Sequence, residues 1–271
     1  MKIKDYFLTN EEFTIVPTET AGVLKTVPQP TNLHKYYNSK RYISHHQDDA
    51  SIKTKIYKFF QKFNLRYKRN IVANYTPHEG VVLDYGCGSG EFLKYIESEF
   101  TILGYEPSEA GVNSTINKTN ATLIKTIDEI ADNSIHTITM WHVLEHIADQ
   151  EAILNKLYCK LNTGGHLIVA VPNYLSFDAQ YYKEYWAAYD VPRHLYHFSN
   201  EGLRNTFNSV KWKFKKLQPL LLDALYISII SEQYKKSSLP WLKGSLVGSI
   251  SNIKALKNNQ FSSLVLVIEK K

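Results

Sequence analysis

The chain has 271 residues, enough to bury a full core in one large domain or two small ones. Its two cysteines, Cys87 and Cys159, exclude a disulfide framework and a zinc ribbon, and a cytoplasmic, reducing location is expected. The net charge of +6 sits in residues 1–80, which hold thirteen Lys or Arg against seven Asp or Glu, so the rest of the chain is close to neutral.

The start, Met1-Lys2-Ile3-Lys4-Asp5, is charged and has no apolar run behind it, so no signal peptide is expected. Residues 1–50 read as irregular, because Pro17, Pro28 and Pro30 interrupt any long element. Residues 50–73 read as a basic amphipathic helix. Ile52, Ile56, Phe59, Phe60, Phe63 and Tyr67 recur at helical spacing, and Lys53, Lys55, Lys58, Lys62, Arg66, Lys68 and Arg69 fill the other positions. Such a helix either packs over the pocket with its lysines in water or meets an anionic membrane or other polyanion; charge runs are usually solvated faces. Residues 1–76 therefore read as an N-terminal extension and 77–271 as the main domain.

That domain opens with an apolar, β-branched strand from 81, closed by Asp84, then Tyr85-Gly86-Cys87-Gly88-Ser89-Gly90 and a helix start at Glu91. Alternate glycines permit positive φ and leave bare backbone for a ligand, with helix N–H groups beyond it. The dinucleotide fingerprint G-x-G-x-x-G is not met: its third position is Glu91, and the extra glycine comes one place early at Gly90. A carboxylate at Asp84 repels pyrophosphate and attracts a cation. The next strand, 101–106, ends in Glu106, twenty positions after Gly86, where doubly wound folds place the acid that binds ribose hydroxyls. The bland alternative is a tight β–α turn with a surface acid.

At Asp84, Gly86, Gly88 and Glu106 the sequence resembles the class I S-adenosylmethionine-dependent methyltransferases. The resemblance implies an α/β, Rossmann-like, doubly wound fold: a mostly parallel seven-stranded sheet, helices on both faces, and an antiparallel C-terminal strand beside the sixth. It implies S-adenosyl-L-methionine as cofactor, with Tyr85, Cys87, Pro107, Trp141 and His142 along the crevice. A segment before the first strand often folds over the cofactor's amino-acid end in this family, and Tyr42 and His45 are the candidates for it; a docking loop with surface histidines is the plain alternative. Cys87 reads as a small residue inside the turn, and Cys159 as a core residue of a helix.

Further elements alternate: a helix from Ser108, a strand at 121–124, a short loop or helix at 128–131, a strand at 135–141, a helix at 149–161 and a strand at 166–171. His142-Val143-Leu144-Glu145-His146 matches H-x-x-E-H, a zinc-protease pattern that needs a helix interior and a distant third ligand. Because it follows a strand directly, it ranks first as cofactor-pocket wall, second as helix cap or core histidine, and third as a cation site; no metal is assigned. Some quinone-pathway O-methyltransferases place a similar acid–histidine pair there for a cation, but His142 replaces the first acid.

Residues 173–199 form a ring-rich insertion ending in Pro192-Arg193-His194-Leu195-Tyr196-His197-Phe198. This string resembles a bacterial branch of the family, in which the insertion lies over the methyl group as a substrate-side lid. His194 or His197 is the candidate general base and Arg193 the candidate anion holder. The alternative is a polar network that orders the lid, with Arg193 paired to Asp190. A helix capped by Ser199 or Asn200, a strand at 212–217, helices over 222–258 broken at Pro240 and a strand at 262–269 complete the chain. The expected function is methyl transfer to an oxygen or nitrogen of a small-molecule, lipid or sugar-type acceptor. Nucleic acid is disfavoured, because no Asn/Asp-Pro-Pro-aromatic string occurs. The rival classes are a non-catalytic binding protein on the same fold and a nucleotide-dependent oxidoreductase.

Overall fold

The computed structural model describes residues 1–32, 34–37, 52–207 and 210–271. The first strands are β1 (Lys2–Lys4), β2 (Glu12–Pro17) and β3 (Val23–Val27). They correct the expectation that residues 1–50 are irregular. Phe13 and Ile15 alternate inward on β2, a period-2 pattern too short to stand out between prolines. Then come β4 (Val81–Tyr85), β5 (Thr101–Tyr105), β6 (Thr122–Ile124), β7 (Ile135–Trp141) and β8 (Leu161–Pro172). The last are β9 (Tyr196–Phe198), β10 (Trp212–Pro219) and β11 (Ser263–Lys270).

Two sheets result. The larger has the order β10-β11-β8-β7-β4-β5-β6, parallel throughout except that β11 runs antiparallel to both neighbours. This is the expected doubly wound architecture. Its inner strands are apolar on both faces because helices cover both. Leu83, Ile138, Met140, Leu167 and Val169 belong to one core, and Val82, Ile102, Ile168, Ala170 and Val265 to the other. The register places Asp84 between Gly104 on β5 and Thr139 on β7.

The smaller sheet has the order β1-β2-β3-β9, so the N-terminal strands pair with the lid. A third core joins Ile3, Phe13 and Tyr36 to Tyr182, Trp186 and Tyr189 of the lid. The helices start where the sequence offers caps: Ser108, Asp149, Ser176 and Ser199 each accept a hydrogen bond from a backbone N–H of the first turn.

The helix Ile52–Ala73 is present, but over residues 61–73 its inner face is offset from the predicted stripe. Ile71 and Val72 are buried with Leu65 against Phe92, Leu93 and Trp141, whereas Phe63 and Tyr67 are exposed. Lys68 lies on this inner face and sets its ammonium 4.8 Å from the centre of the Trp141 ring. No described helix is long and apolar enough to cross a membrane.

Candidate active site

The crevice is built on the turn after β4. Gly86, Gly88 and Gly90 take φ of 85°, 56° and 78°, the left-handed region that favours glycine. They serve different ends. A Cβ on Gly86 would meet Val143 Cγ2 at 2.5 Å, and one on Gly90 would meet Thr115 Oγ1 at 2.8 Å. At Gly88 it would meet nothing within 4 Å among the described residues, so this residue forms an open floor there. Both oxygens of Glu106 are anchored there, accepting from Gly88 N at 2.9 Å and from Ser108 N at 2.9 Å. The exposed Pro107 follows at the rim.

Asp84 is 2% exposed and accepts a hydrogen bond from Thr139 Oγ1 at 2.6 Å. Burial pushes its carboxyl up to about 6, against the opposing pull of Thr139 and the Lys68 ammonium. Tyr85 and Cys87 join the cores on the two faces of the sheet. Tyr85 stacks on Tyr105 with centroids 4.6 Å apart. Burial raises the Cys87 thiol to about 12, which leaves it protonated and unreactive. Cys159 is exposed rather than a core residue, because its helix turns that face to water.

The opposite wall comes from the end of β7. Trp141 is buried, meets Phe92 edge to face, and its indole N–H has no hydrogen-bond partner among the described residues. His142 holds φ of 57°, a conformation uncommon outside glycine. Its Nε2 donates to Asp223 Oδ2 at 2.8 Å, and its Nδ1 lies 3.4 Å from Glu145 Oε1. Burial alone would lower its pKa, but Asp223 and then Glu145 raise it to about 9, so it is an imidazolium at neutral pH.

The three predicted catalytic residues sit in the lid, and the structure does not bring them to the glycine turn as free groups. Arg193 is 1% exposed; its guanidinium binds Asp190 at 2.6 Å and Asp5 at 2.9 Å and lies over Phe7. Its donors are thus engaged within the protein, as in the alternative reading of a polar network that includes Asp190. His197 lies on β9 with Nε2 2.9 Å from Thr26 Oγ1, and burial holds its pKa well below the ordinary value. His194 is buried; its ring meets His146 edge to face at 4.6 Å. Tyr42 and His45 lie outside the described residues.

Several residues of the site escaped sequence reasoning. Lys68 was one lysine in a charged run, and nothing in the pattern marked it as inward. Asp223 carried a signal, since it is the one charged residue in the apolar stretch 220–230. Thr139 and Asp5 carried none. Asp178 is a further buried hub, accepting from Ser251 Oγ at 2.6 Å, Ser262 Oγ at 2.7 Å and Trp186 Nε1 at 2.7 Å.

These features set a glycine turn and two acids at the carboxyl ends of β4, β5 and β7 in a doubly wound sheet, the place where such folds bind ligands. The family model of a methyltransferase domain matches residues 55–213. The chain belongs to this family, and it is an S-adenosylmethionine-dependent methyltransferase. Comparison with curated proteins gives no match. Among solved structures, one similar chain is a Thermotoga maritima S-adenosylmethionine-dependent methyltransferase described as a possible histamine N-methyltransferase. The two share 18% identity over 89% of this chain and 100% of that one, with a TM-score of 0.56. A Haemonchus contortus phosphoethanolamine N-methyltransferase bound to phosphomonomethylethanolamine and S-adenosylhomocysteine shares 14% identity. It covers 91% of this chain and 62% of that one, at a TM-score of 0.57. A Haloferax volcanii methyltransferase complex with the activator Trm112 shares 16% identity over 78% and 92% of the two chains, at 0.57. At these identities the likeness is one of fold.

The residues fit S-adenosylmethionine. Asp84 is a buried carboxylate in want of a cation, and Glu106 is fixed at the open Gly88 floor with its oxygens beside backbone N–H groups. When bound, this group supplies an electrophilic methyl on a sulfonium.

Proposed function

We propose that the enzyme methylates an oxygen or nitrogen of a small, partly apolar acceptor bound beneath a cap made jointly by residues 1–30 and 173–199. The supporting observation is the shared sheet β1-β2-β3-β9, which ties the N-terminal strands to the segment after β8. In this reading Asp84, Gly86, Gly88 and Glu106 hold the donor, with Trp141, His142 and Pro107 along its walls. Tyr85 and Cys87 shape the turn from behind.

Methyl transfer from a sulfonium is an in-line displacement with a good leaving group, so positioning carries most of the catalysis. A base matters only when the acceptor is a hydroxyl or a protonated amine. Arg193 then acts by holding the cap to Asp5, rather than by gripping substrate. His197 is the pin between β9 and Thr26 of β3. Peripheral membrane contact through residues 50–73 fits a lipid acceptor and is the second form of the same proposal.

The test is turnover. Purified enzyme incubated with S-adenosylmethionine and pools of hydroxyl and amine acceptors should release S-adenosylhomocysteine with one pool. Donor binding without turnover on any pool would favour the binding-protein alternative. Binding of a nicotinamide dinucleotide in its place would favour the oxidoreductase.

A further inference from the structure

Glu145 is an anomaly that methyl transfer does not explain. Its side chain is 1% exposed, and neither carboxylate oxygen accepts a hydrogen bond from the described residues. His142 Nδ1 lies 3.4 Å from Oε1, an ion pair beyond ordinary N–H···O range. The His142 imidazolium offsets its charge without donating a hydrogen bond, and a buried carboxylate short of donors still favours a further cation.

Two histidines face that carboxylate. One ligand atom from each of Glu145, His146 and His194 lies within 4.8 Å of the others. The hydrogen bonds fix which nitrogen each ring offers. His146 Nδ1 lies 3.0 Å from the Arg193 carbonyl oxygen, and His194 Nδ1 lies 2.9 Å from the Ala188 carbonyl oxygen. A carbonyl only accepts, so both Nδ1 atoms carry the proton. The Tyr37 hydroxyl, 2.9 Å from His146 Nδ1, shares that N–H as a second acceptor. Both Nε2 atoms are therefore left with lone pairs. A ring whose Nδ1–H is tied to a backbone carbonyl, leaving Nε2 to ligate, is the outer-shell arrangement of metal-binding histidines.

We propose that Glu145, His146 and His194 bind a divalent ion of the zinc class. Two imidazole nitrogens and one carboxylate oxygen form a donor set that suits zinc and its neighbours rather than magnesium. Two of the ligands follow β7 in the turn Leu144–His146, and the third comes from the lid 48 residues later. The ion would pin the lid to the sheet, alongside the backbone bond from Leu195 N to Glu145 O at 2.8 Å. Three protein ligands leave a coordination position that an acceptor oxygen can take. None of the three ligands is a residue assigned to hold the methyl donor, so the site does not depend on the methyl-transfer reading.

The experiment uses untagged full-length protein stripped with a chelator and titrated calorimetrically with Zn²⁺ and, in parallel, with Mg²⁺. The expected result is one Zn²⁺ per chain and no Mg²⁺ at matched concentration. Glu145→Gln and His194→Ala should each weaken Zn²⁺ at least tenfold, while His78→Ala, at an exposed position, leaves it unchanged. Should a variant fail to fold, Co²⁺ added to the wild type must give the visible ligand-field bands of a low-coordinate nitrogen–oxygen site. Wild-type protein that takes up neither ion, that binds Mg²⁺ alone, or whose Zn²⁺ affinity is indifferent to these substitutions overturns the proposal. S-adenosylmethionine titrated into the metal-free protein reads the donor site separately.

Discussion

Asp84→Asn should make the ligand-free protein more stable and the donor site worse. The carboxyl is raised from 3.8 to about 6, chiefly by burial. Between those values the folded state holds a proton that the unfolded chain has released, so stability falls as pH rises through that window and stays lower above it. At about 1.4 kcal/mol per pKa unit, the buried charge costs roughly 3 kcal/mol at neutral pH. Asn keeps a dipole that must also be desolvated, so this is a ceiling. For a chain of this size it corresponds to a rise in melting temperature of up to about 6–12 °C at neutral pH, shrinking toward zero near pH 4. Loss of a charged hydrogen-bond partner should weaken S-adenosylmethionine by about 1.5–3 kcal/mol, roughly 10- to 100-fold. Thermal scans at several pH values and titration calorimetry read the two arms. A variant that melts no higher at neutral pH and binds the donor as the wild type does would refute the reasoning.

Three further outcomes follow from other sites. In Asp223→Asn the His142 imidazole, held at about 9 in the wild type, should titrate well below that by NMR. The wild type draws stability from the raised His142 pKa below about pH 6.5 and loses it as pH climbs through about 9. Asp178→Ala strands Ser251, Ser262 and Trp186 Nε1 in the core, and denaturant melts should show a loss of about 3 kcal/mol or more. Arg193→Ala leaves Asp5 and Asp190 without their cation and should cost about 3–5 kcal/mol, while Arg193→Lys, lacking the fork, restores only part of it.

The sheet was legible because its strands are short apolar runs set off by glycine and proline, and because Asp84 and Glu106 end two of them at the separation the fold needs. The turn was legible for the same local reason: Gly86, Gly88 and Gly90 declare their backbone. What escaped notice was set by distant pairing. Phe13 and Ile15 make an inner face only because β3 binds β9, some 170 residues on. Lys68 is inward because its helix rotates to seat Ile71 and Val72, and Trp141 receives the ammonium. Arg193 read equally as an anion holder and as a structural ion, since Asp5 lies 188 residues away. Likewise His194 and Glu145 belong to different segments, and only the fold shows that their ligand atoms converge.

The most direct measurement is calorimetric titration of wild-type protein and Glu106→Ala with S-adenosylmethionine, beside a parallel titration with NAD⁺. One donor molecule per chain, an affinity reduced at least tenfold by the substitution, and no heat from the dinucleotide is the predicted outcome. Saturable NAD⁺ binding with a silent S-adenosylmethionine titration would contradict the account.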